Sequence, residues 1–540
     1  MNEQMNTALA KFKIRGQVST AIIVQNIGNH MKYAEEEHII ATIPHVSAGY
    51  RCVEETKSGL MPGTRVELTQ ELETWATTGF PTGDAKPIYY LSGAAGLGKS
   101  AFAYHLCRLM DEEWGLNLGA SFFFYRGSGH LESARSFFPT IAHSFAMSQP
   151  ALRSSIVHAA RTYLVDGEEQ QMREAFHRLL RRPLVESPSD PIYQPTTFLI
   201  IDGLDECKDR DLVPDLLESI FDLVRHLPWL RVFIAARPEI NIRPILISSN
   251  AADIVHHRSL NDTIDDWDED IAFYLRSTVP KIGQYGDYIR RYPMDLEALI
   301  DRAEGVFIYA QIAVNFLQAY DDRPEEQFAL LLEPTGGVGV SSLDNLYLHI
   351  LRSAFPPQDL QHSHARRERL RDLLAFLALR QANLSPGSIA LLLAIPEDIV
   401  LWMVNRLSSV LLLDAYGSVV PLHATFVEFL LDRNRCIDTL YHIDPAQGHA
   451  QLASKCLSVL TFAFATEILR HGHADITRSN VAAAIGYSTS WMYHVHNAGR
   501  QDVLTERIQS WIHTRLAARV RIFARVTSTE AKVIQHYFQV

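Results

Sequence analysis

"LSGAAGLGKS", residues 91–100, decides how this chain is read. Gly93 and Gly98 stand five apart, and Lys99-Ser100 close the run with the spacing of a phosphate-binding loop. Four fixed positions recur by chance in a long chain, so the flanks have to decide. Before the loop, "PIYYL" (Pro87–Leu91) is aromatic and β-branched, which predicts a buried strand. After it, Phe102, Leu106 and Leu109 stand at i, i+4 and i+7, the stripe of one helix face. The loop therefore joins a strand to a helix N-terminus. There Gly93, Gly96 and Gly98 let backbone N–H groups turn inward around anionic oxygens, and the helix end adds partial positive charge. Lys99 supplies a cation for the β- and γ-phosphates, and the Ser100 hydroxyl supplies a ligand for Mg²⁺.

About a hundred residues on, "TTFLIIDGLDEC" (Thr196–Cys207) carries the unbroken apolar run of a central parallel strand. Asp202 falls at its C-terminal end, where open α/β sheets place their ligands. A buried carboxylate there needs a cation, and Mg²⁺ shared with Ser100 and nucleotide oxygens supplies one. Asp205 and Glu206 follow Gly203, placed to reach the γ-phosphate side and orient a water. A third strand, "RVFIAARPEI" (Arg231–Ile240), ends in Arg237, a cation suited to sensing or stabilising the γ-phosphate.

Together these residues resemble the NACHT module of the STAND class of P-loop NTPases. "LIIDGLDE" matches that family's acidic motif at every position. The segments "GASFFFYRGSGHLESARSFFPTIAHSFA" (Gly119–Ala146) and "MPGTRVELTQELETWA" (Met61–Ala76) resemble fungal, nephrocystin-type members. The resemblance implies that Gly93, Gly96, Leu97, Gly98, Lys99, Ser100 and Ala101 bind ATP or ADP. It further implies that Ser100 and Asp202 serve Mg²⁺, Asp205 and Glu206 serve hydrolysis, and Arg237 is the sensor. Arg126 is a second candidate cation.

The fold expected is an α/β P-loop NTPase core, a parallel sheet flanked by helices, followed by helical, winged-helix and C-terminal helical parts. The boundaries read as 1–60 (an N-terminal helical segment), 61–255 (the NTPase domain), 256–345 (helical), 346–435 (winged helix) and 436–540 (C-terminal helical). In "LEALIDRAEGVFIYAQIAVNFL", Leu299, Ala303, Phe307 and Ala310 recur near helical spacing across Gly305. Further on, "RERLRDLLAFLALR", "SPGSIALLLAI" with Ser385 as N-cap, and "PEDIVLWMVNRL" are three helices. "SVLLLDAYGSVVPL" is a hairpin around Tyr416-Gly417, and "HATFVEFLLDR" returns to helix. The third helix opens with Glu397-Asp398 and is otherwise apolar, which points to docking rather than nucleic acid. "LHATFVEFL" resembles the segment in which a winged-helix histidine, here His423, touches the β-phosphate of ADP. In the tail, His442 and His449 read as a cap and a surface residue. The pairs His471/His473 and His494/His496 read likewise as no metal set, and Tyr487, Trp491 and Tyr493 as core.

Net charge is −12, so no overall basic field attracts nucleic acid or anionic lipid. Cys52, Cys107, Cys207, Cys436 and Cys456 show no paired spacing and read as reduced thiols of a cytoplasmic protein. Neither a secretory signal nor a run of roughly 18 apolar residues is present. No internal repeat of the sensor-array type is found. The reading that follows is a nucleotide-controlled signalling switch with slow hydrolysis, self-associating when active and working with protein partners in trans. By resemblance its setting is fungal innate immunity or non-self recognition. An actively cycling AAA+-like ATPase and a nucleotide-stabilised scaffold are the competing readings.

Overall fold

Tyr89 and Leu91 face one apolar core and Ile88 and Tyr90 the other, so β1 (Ile88–Ser92) is buried on both sides. This is the two-sided burial that a parallel strand between helical layers requires. The computed structural model describes residues 31–52, 60–78, 86–127, 129–165, 171–186, 195–262, 264–319, 323–333, 341–414, 416–465, 480–499 and 501–514. Before β1 lies α1 (Val66–Thr77), and after the loop comes α2 (Lys99–Arg108). The sheet is completed by β2 (Asn117–Phe123), β3 (Thr197–Asp202), β4 (Leu230–Ala236) and β5 (Val255–Ser259). All pairings are parallel, in the order β2-β3-β4-β1-β5. On one face Tyr89, Leu91, Phe198, Ile200 and Phe233 pack with Leu72 of α1 and Phe102 and Leu106 of α2. Arg231, fully buried in β4, donates to the Trp75 and Thr78 carbonyls at the C-terminal end of α1, where a cation suits the helix dipole.

Register fixes the site. Ser92 pairs with Ala236 and Asp202 with Ala235, so the carboxyl ends of β1, β3 and β4 finish level with one another. The loop after β1, the acidic turn after β3 and Arg237 after β4 therefore emerge along one rim.

The chain continues through α3 (Ile264–Thr278), α4 (Pro293–Arg302) and α5 (Phe307–Ala319). The stripe from Leu299 to Ala310 is not one helix. Glu304 (φ 49°) and Gly305 (φ 73°) turn left-handed and split it into α4 and α5. The break sets Val306 and Ile308 against the phosphate loop, where a Cβ on Gly96 would fall 2.4 Å from Ile308 Cγ2.

Next come α6 (Ser342–Ala354), α7 (His364–Leu379), α8 (Pro386–Leu393) and α9 (Glu397–Arg406). As expected, Ser385 caps α8 by accepting the Ser388 N–H. The antiparallel pair β6 (Leu411–Leu413) and β7 (Val419–Pro421) turns through Gly417 at φ 72° and leads into α10 (Ala424–Leu431). No single described helix is long and apolar enough to cross a membrane. The apolar pair α8 and α9 bends by 119° at its joint, and its Ile389, Leu393, Val400 and Met403 lie in the core.

The C-terminal helices correct one reading. His449, on α11 (Pro445–Ala465), is buried rather than exposed. Its Nδ1 lies 2.9 Å from Nδ1 of His494, a fully buried residue of α12 (Trp491–Ala498) whose Nε2 is 3.1 Å from the Tyr487 hydroxyl. Each ring satisfies the other's polar atom, so both can be buried. Burial drives His449 down to about 4 and His494 to about 3, the neighbouring imidazole adding to the second. Tyr487 and Trp491 are core residues, whereas Tyr493 is half-buried with Lys208 Nζ 4.6 Å from its ring centre. His471 and His473 lie outside the described residues.

Candidate functional site

The loop from Gly93 to Gly98 bends through two left-handed glycines, Gly96 (φ 81°) and Gly98 (φ 83°). L-side chains adopt these angles only under strain. Neighbouring elements hold the loop. The Ala94 N–H donates to Asn261 Oδ1 at 3.2 Å, and Ile308, in the first turn of α5, donates its N–H to the Gly96 carbonyl at 3.2 Å. Arg65, the residue before α1, donates to the Leu97 carbonyl at 3.0 Å. Leu97 packs partly buried beside Gly93, and Ser100 and Ala101 are partly exposed in the first turn of α2.

Lys99 is buried, and its Nζ donates to the Gly93 and Ala94 carbonyls, both at 2.8 Å. Desolvation pushes its pKa down to about 8, against the pull of Asp205, Asp202 and Glu206. The ammonium thus shares one electrostatic field with the acidic turn, and it is protonated at neutral pH.

Asp202 is buried at the end of β3; burial pushes the Cys107 thiol up, and Asp202 adds to that shift. Gly203, at φ 69°, must be small because a Cβ there would meet the Phe124 carbonyl oxygen at 2.9 Å. Asp205 receives Arg237 twice, from the backbone N–H at 2.9 Å and from Nε at 3.1 Å. Glu206 is half-buried and accepts the Arg126 N–H at 3.0 Å. The predicted acidic and basic residues therefore meet, with Asp205 aligning Arg237 and Glu206 beside Arg126.

The hard oxygen donors Ser100 and Asp202 fit Mg²⁺. No group of three or more metal-ligating side chains exists among the described residues. A nucleotide-bound Mg²⁺ does not need one, since phosphate oxygens and water complete its shell. The left-handed glycine turns, the helix N-terminus and the Lys99 cation fit a polyphosphate.

A second set of contacts arrives from α10. Arg237 Nη1 lies 2.7 Å from Glu428 Oε1, and Arg126 Nη1 lies 3.7 Å from the same oxygen. Arg435 Nη1 approaches Glu428 Oε2 at 3.6 Å. Burial works against the charge on Arg237, but Glu428 and Asp205 outweigh it and hold its pKa above the ordinary value. Nearby, the Tyr125 hydroxyl donates to the Pro421 carbonyl at 3.2 Å. His423 caps α10, its Nδ1 accepting the Thr425 N–H at 3.2 Å and lying 2.8 Å from Thr425 Oγ1. It lines a cavity of about 230 Å³ with Tyr125, Arg126, Glu206, Lys208 and Tyr493.

Residues 64–237, which span this loop, acidic turn and arginine, match the family described as nephrocystin 3, N-terminal. This segment is similar to that nephrocystin-type module. The parallel sheet flanked by helices, with the glycine loop after β1, has the form of a P-loop NTPase core, and a mostly helical remainder follows it. A solved structure of a STAND ATPase with a tetratricopeptide repeat sensor, from Pyrococcus horikoshii, is similar at 13% identity and a TM-score of 0.43. The alignment covers 90% of this chain and 54% of that one, so the chain spans about half the length of that protein. No curated protein matches the sequence.

Sequence reasoning missed three residues of the site. Glu428 lies within the segment "LHATFVEFL", whose resemblance singles out His423, although a lone carboxylate in the apolar run "ATFVEFLL" is itself a signal. Arg65 and Asn261 give no such signal, since both act through contacts made only in the fold.

Proposed function

We propose that this chain is an adenine-nucleotide switch whose closed state is the one described above. The observation that carries the proposal is the shared arginine: Arg237 is held at once by Asp205 of the NTPase core and Glu428 of α10. A guanidinium at the end of β4 is suited to a γ-phosphate. While Glu428 occupies it, ADP fits the site without competition. A γ-phosphate competes with Glu428 for Arg237 and Arg126 and weakens the grip of α10. Moving such an equilibrium from 1:99 to 99:1 takes about 5.5 kcal/mol of differential binding, within reach of two cations changing partners together with a protein partner.

In this reading Gly93, Gly96, Leu97, Gly98, Lys99, Ser100 and Ala101 bind the phosphates, and Ser100 and Asp202 hold Mg²⁺, which would screen phosphate charge. Asp205 keeps Arg237 aligned, Glu206 orients water for a slow resetting hydrolysis, and His423 contacts an ADP phosphate. The order of three helices, hairpin and helix over residues 364–431 supports a winged-helix reading of this part. Self-association would then use surfaces such as the exposed Leu401 and Trp402 of α9.

The nucleotide that the protein carries tests the proposal. Protein purified without added nucleotide and then denatured is expected to release about one equivalent of ADP, read by anion-exchange chromatography. Protein that releases none and binds none on titration contradicts it.

A further inference from the structure

Arg65 stands at the junction of three elements. It precedes α1, its backbone is left-handed (φ 58°, ψ 31°), and its side chain is buried. The left-handed turn lets two of its groups face one carboxylate. Its N–H donates to Asp270 Oδ2 at 3.1 Å, and its Nε lies 3.7 Å from the same oxygen. Asp270 belongs to α3, outside the sheet. From this anchor the guanidinium reaches the Leu97 carbonyl at 3.0 Å, and a Cβ on Gly98 would lie 3.8 Å from its Nη2.

The chemistry of that contact follows from peptide geometry. In a trans peptide the C=O and the next N–H point in opposite directions. A cation that holds the Leu97 carbonyl toward itself therefore turns the Gly98 N–H away from itself, to the side of the loop opposite Arg65. The Ile308 N–H acts in the same way on the preceding peptide, through the Gly96 carbonyl. Left-handed glycines at 96 and 98 make both peptides easy to flip, so an unheld loop would lose that donor orientation.

We propose that Arg65, anchored on Asp270, is a positioning residue that sets the donor geometry of the phosphate cradle and couples it to helix α3. This rests on the nucleotide-binding reading above. Burial lowers the Arg65 pKa to about 10, opposed by Asp270, so the guanidinium remains charged at neutral pH. Because Asp270 lies on a helix of the part that follows the core, any shift of α3 would move Arg65 and thereby loosen the cradle.

Arg65→Gly is the informative variant, because glycine takes the left-handed backbone without strain and keeps the N–H to Asp270. ADP affinity is measured on the full chain by isothermal titration, with thermal melting of the nucleotide-free protein alongside. Arg65→Gly is expected to weaken ADP binding roughly ten- to a hundredfold, the range for a charge-assisted hydrogen bond, beyond whatever the lost Asp270 ion pair takes from the nucleotide-free melting temperature. Arg65→Lys, which keeps a cationic donor, is expected to recover most of the affinity. Wild-type affinity in Arg65→Gly would overturn the proposal. So would equal losses of affinity and melting temperature in both variants, which would mark a structural role only. A wild-type protein that binds no ADP would instead overturn the nucleotide reading, and this one with it.

Discussion

Lys99→Ala is expected to lower ADP and ATP affinity roughly a hundredfold while the nucleotide-free protein stays folded. Charge-assisted hydrogen bonds to phosphate are worth about 3 kcal/mol in a buried site. Two effects oppose each other in the stability of the nucleotide-free protein. Removing Lys99 loses its bonds to the Gly93 and Ala94 carbonyls but also removes a desolvated cation. In calorimetry, wild-type protein at about 100 times its dissociation constant gains ~2.7 kcal/mol from ADP, and the variant at the same concentration gains far less. The same side chain sets a pH dependence. Its pKa is lowered from 10.5 to about 8, so between those values the unfolded chain holds a proton that the nucleotide-free fold has lost. Stability of the nucleotide-free protein therefore rises with pH across that window, all else equal. Phosphate binding needs the protonated ammonium, so ADP affinity falls above about pH 8, approaching tenfold per unit. Lys99→Ala lacks this limb, and an identical profile in both proteins would rule out Lys99 as its source.

Glu428→Gln is expected to loosen α10 from the NTPase core. The carboxylate receives Arg237 at 2.7 Å, with Arg126 and Arg435 at 3.7 and 3.6 Å. Glutamine keeps the shape and one acceptor but loses the charge. Its side chain is 23% exposed and that of Arg237 18% exposed, so solvent screens part of the interaction. The loss is therefore set at about 2 kcal/mol, below the cost of breaking a fully buried pair. That is roughly thirtyfold in the ratio of closed to open protein. With ADP present, amide exchange over residues 424–431 should quicken by a similar factor while amides of β1 and β3 keep their protection. Equal quickening everywhere would mean global destabilisation, and no change would remove Glu428 from the closed-state contact.

What the sequence made legible was local. The run "LSGAAGLGKS" between a strand and a helix, the apolar strand ending in Asp202, and the Ser385-capped α8 all signal through periodicity or short-range chemistry. The hairpin at Gly417 likewise needs only its own turn. The remainder is tertiary. Leu299, Ala303, Phe307 and Ala310 keep helical spacing, yet the chain turns left-handed at Glu304 and Gly305 so that Val306 and Ile308 pack on the phosphate loop. His449 and His494, 45 positions apart, are buried because each supplies the other's hydrogen-bond partner. Arg65 owes its role to a left-handed backbone and to Asp270, 205 residues away. Asp205 and Glu206, adjacent and alike in charge, differ because the first is turned onto Arg237 and the second onto the Arg126 N–H.

In the proposed switch a γ-phosphate and Glu428 compete for Arg237. Sedimentation velocity of the wild-type chain, with saturating ADP and then with saturating ATP and Mg²⁺, tests it most directly. A compact monomer in ADP that becomes more extended or self-associates in ATP is the predicted result. Identical sedimentation in the two nucleotides, both shown to be bound, would contradict it.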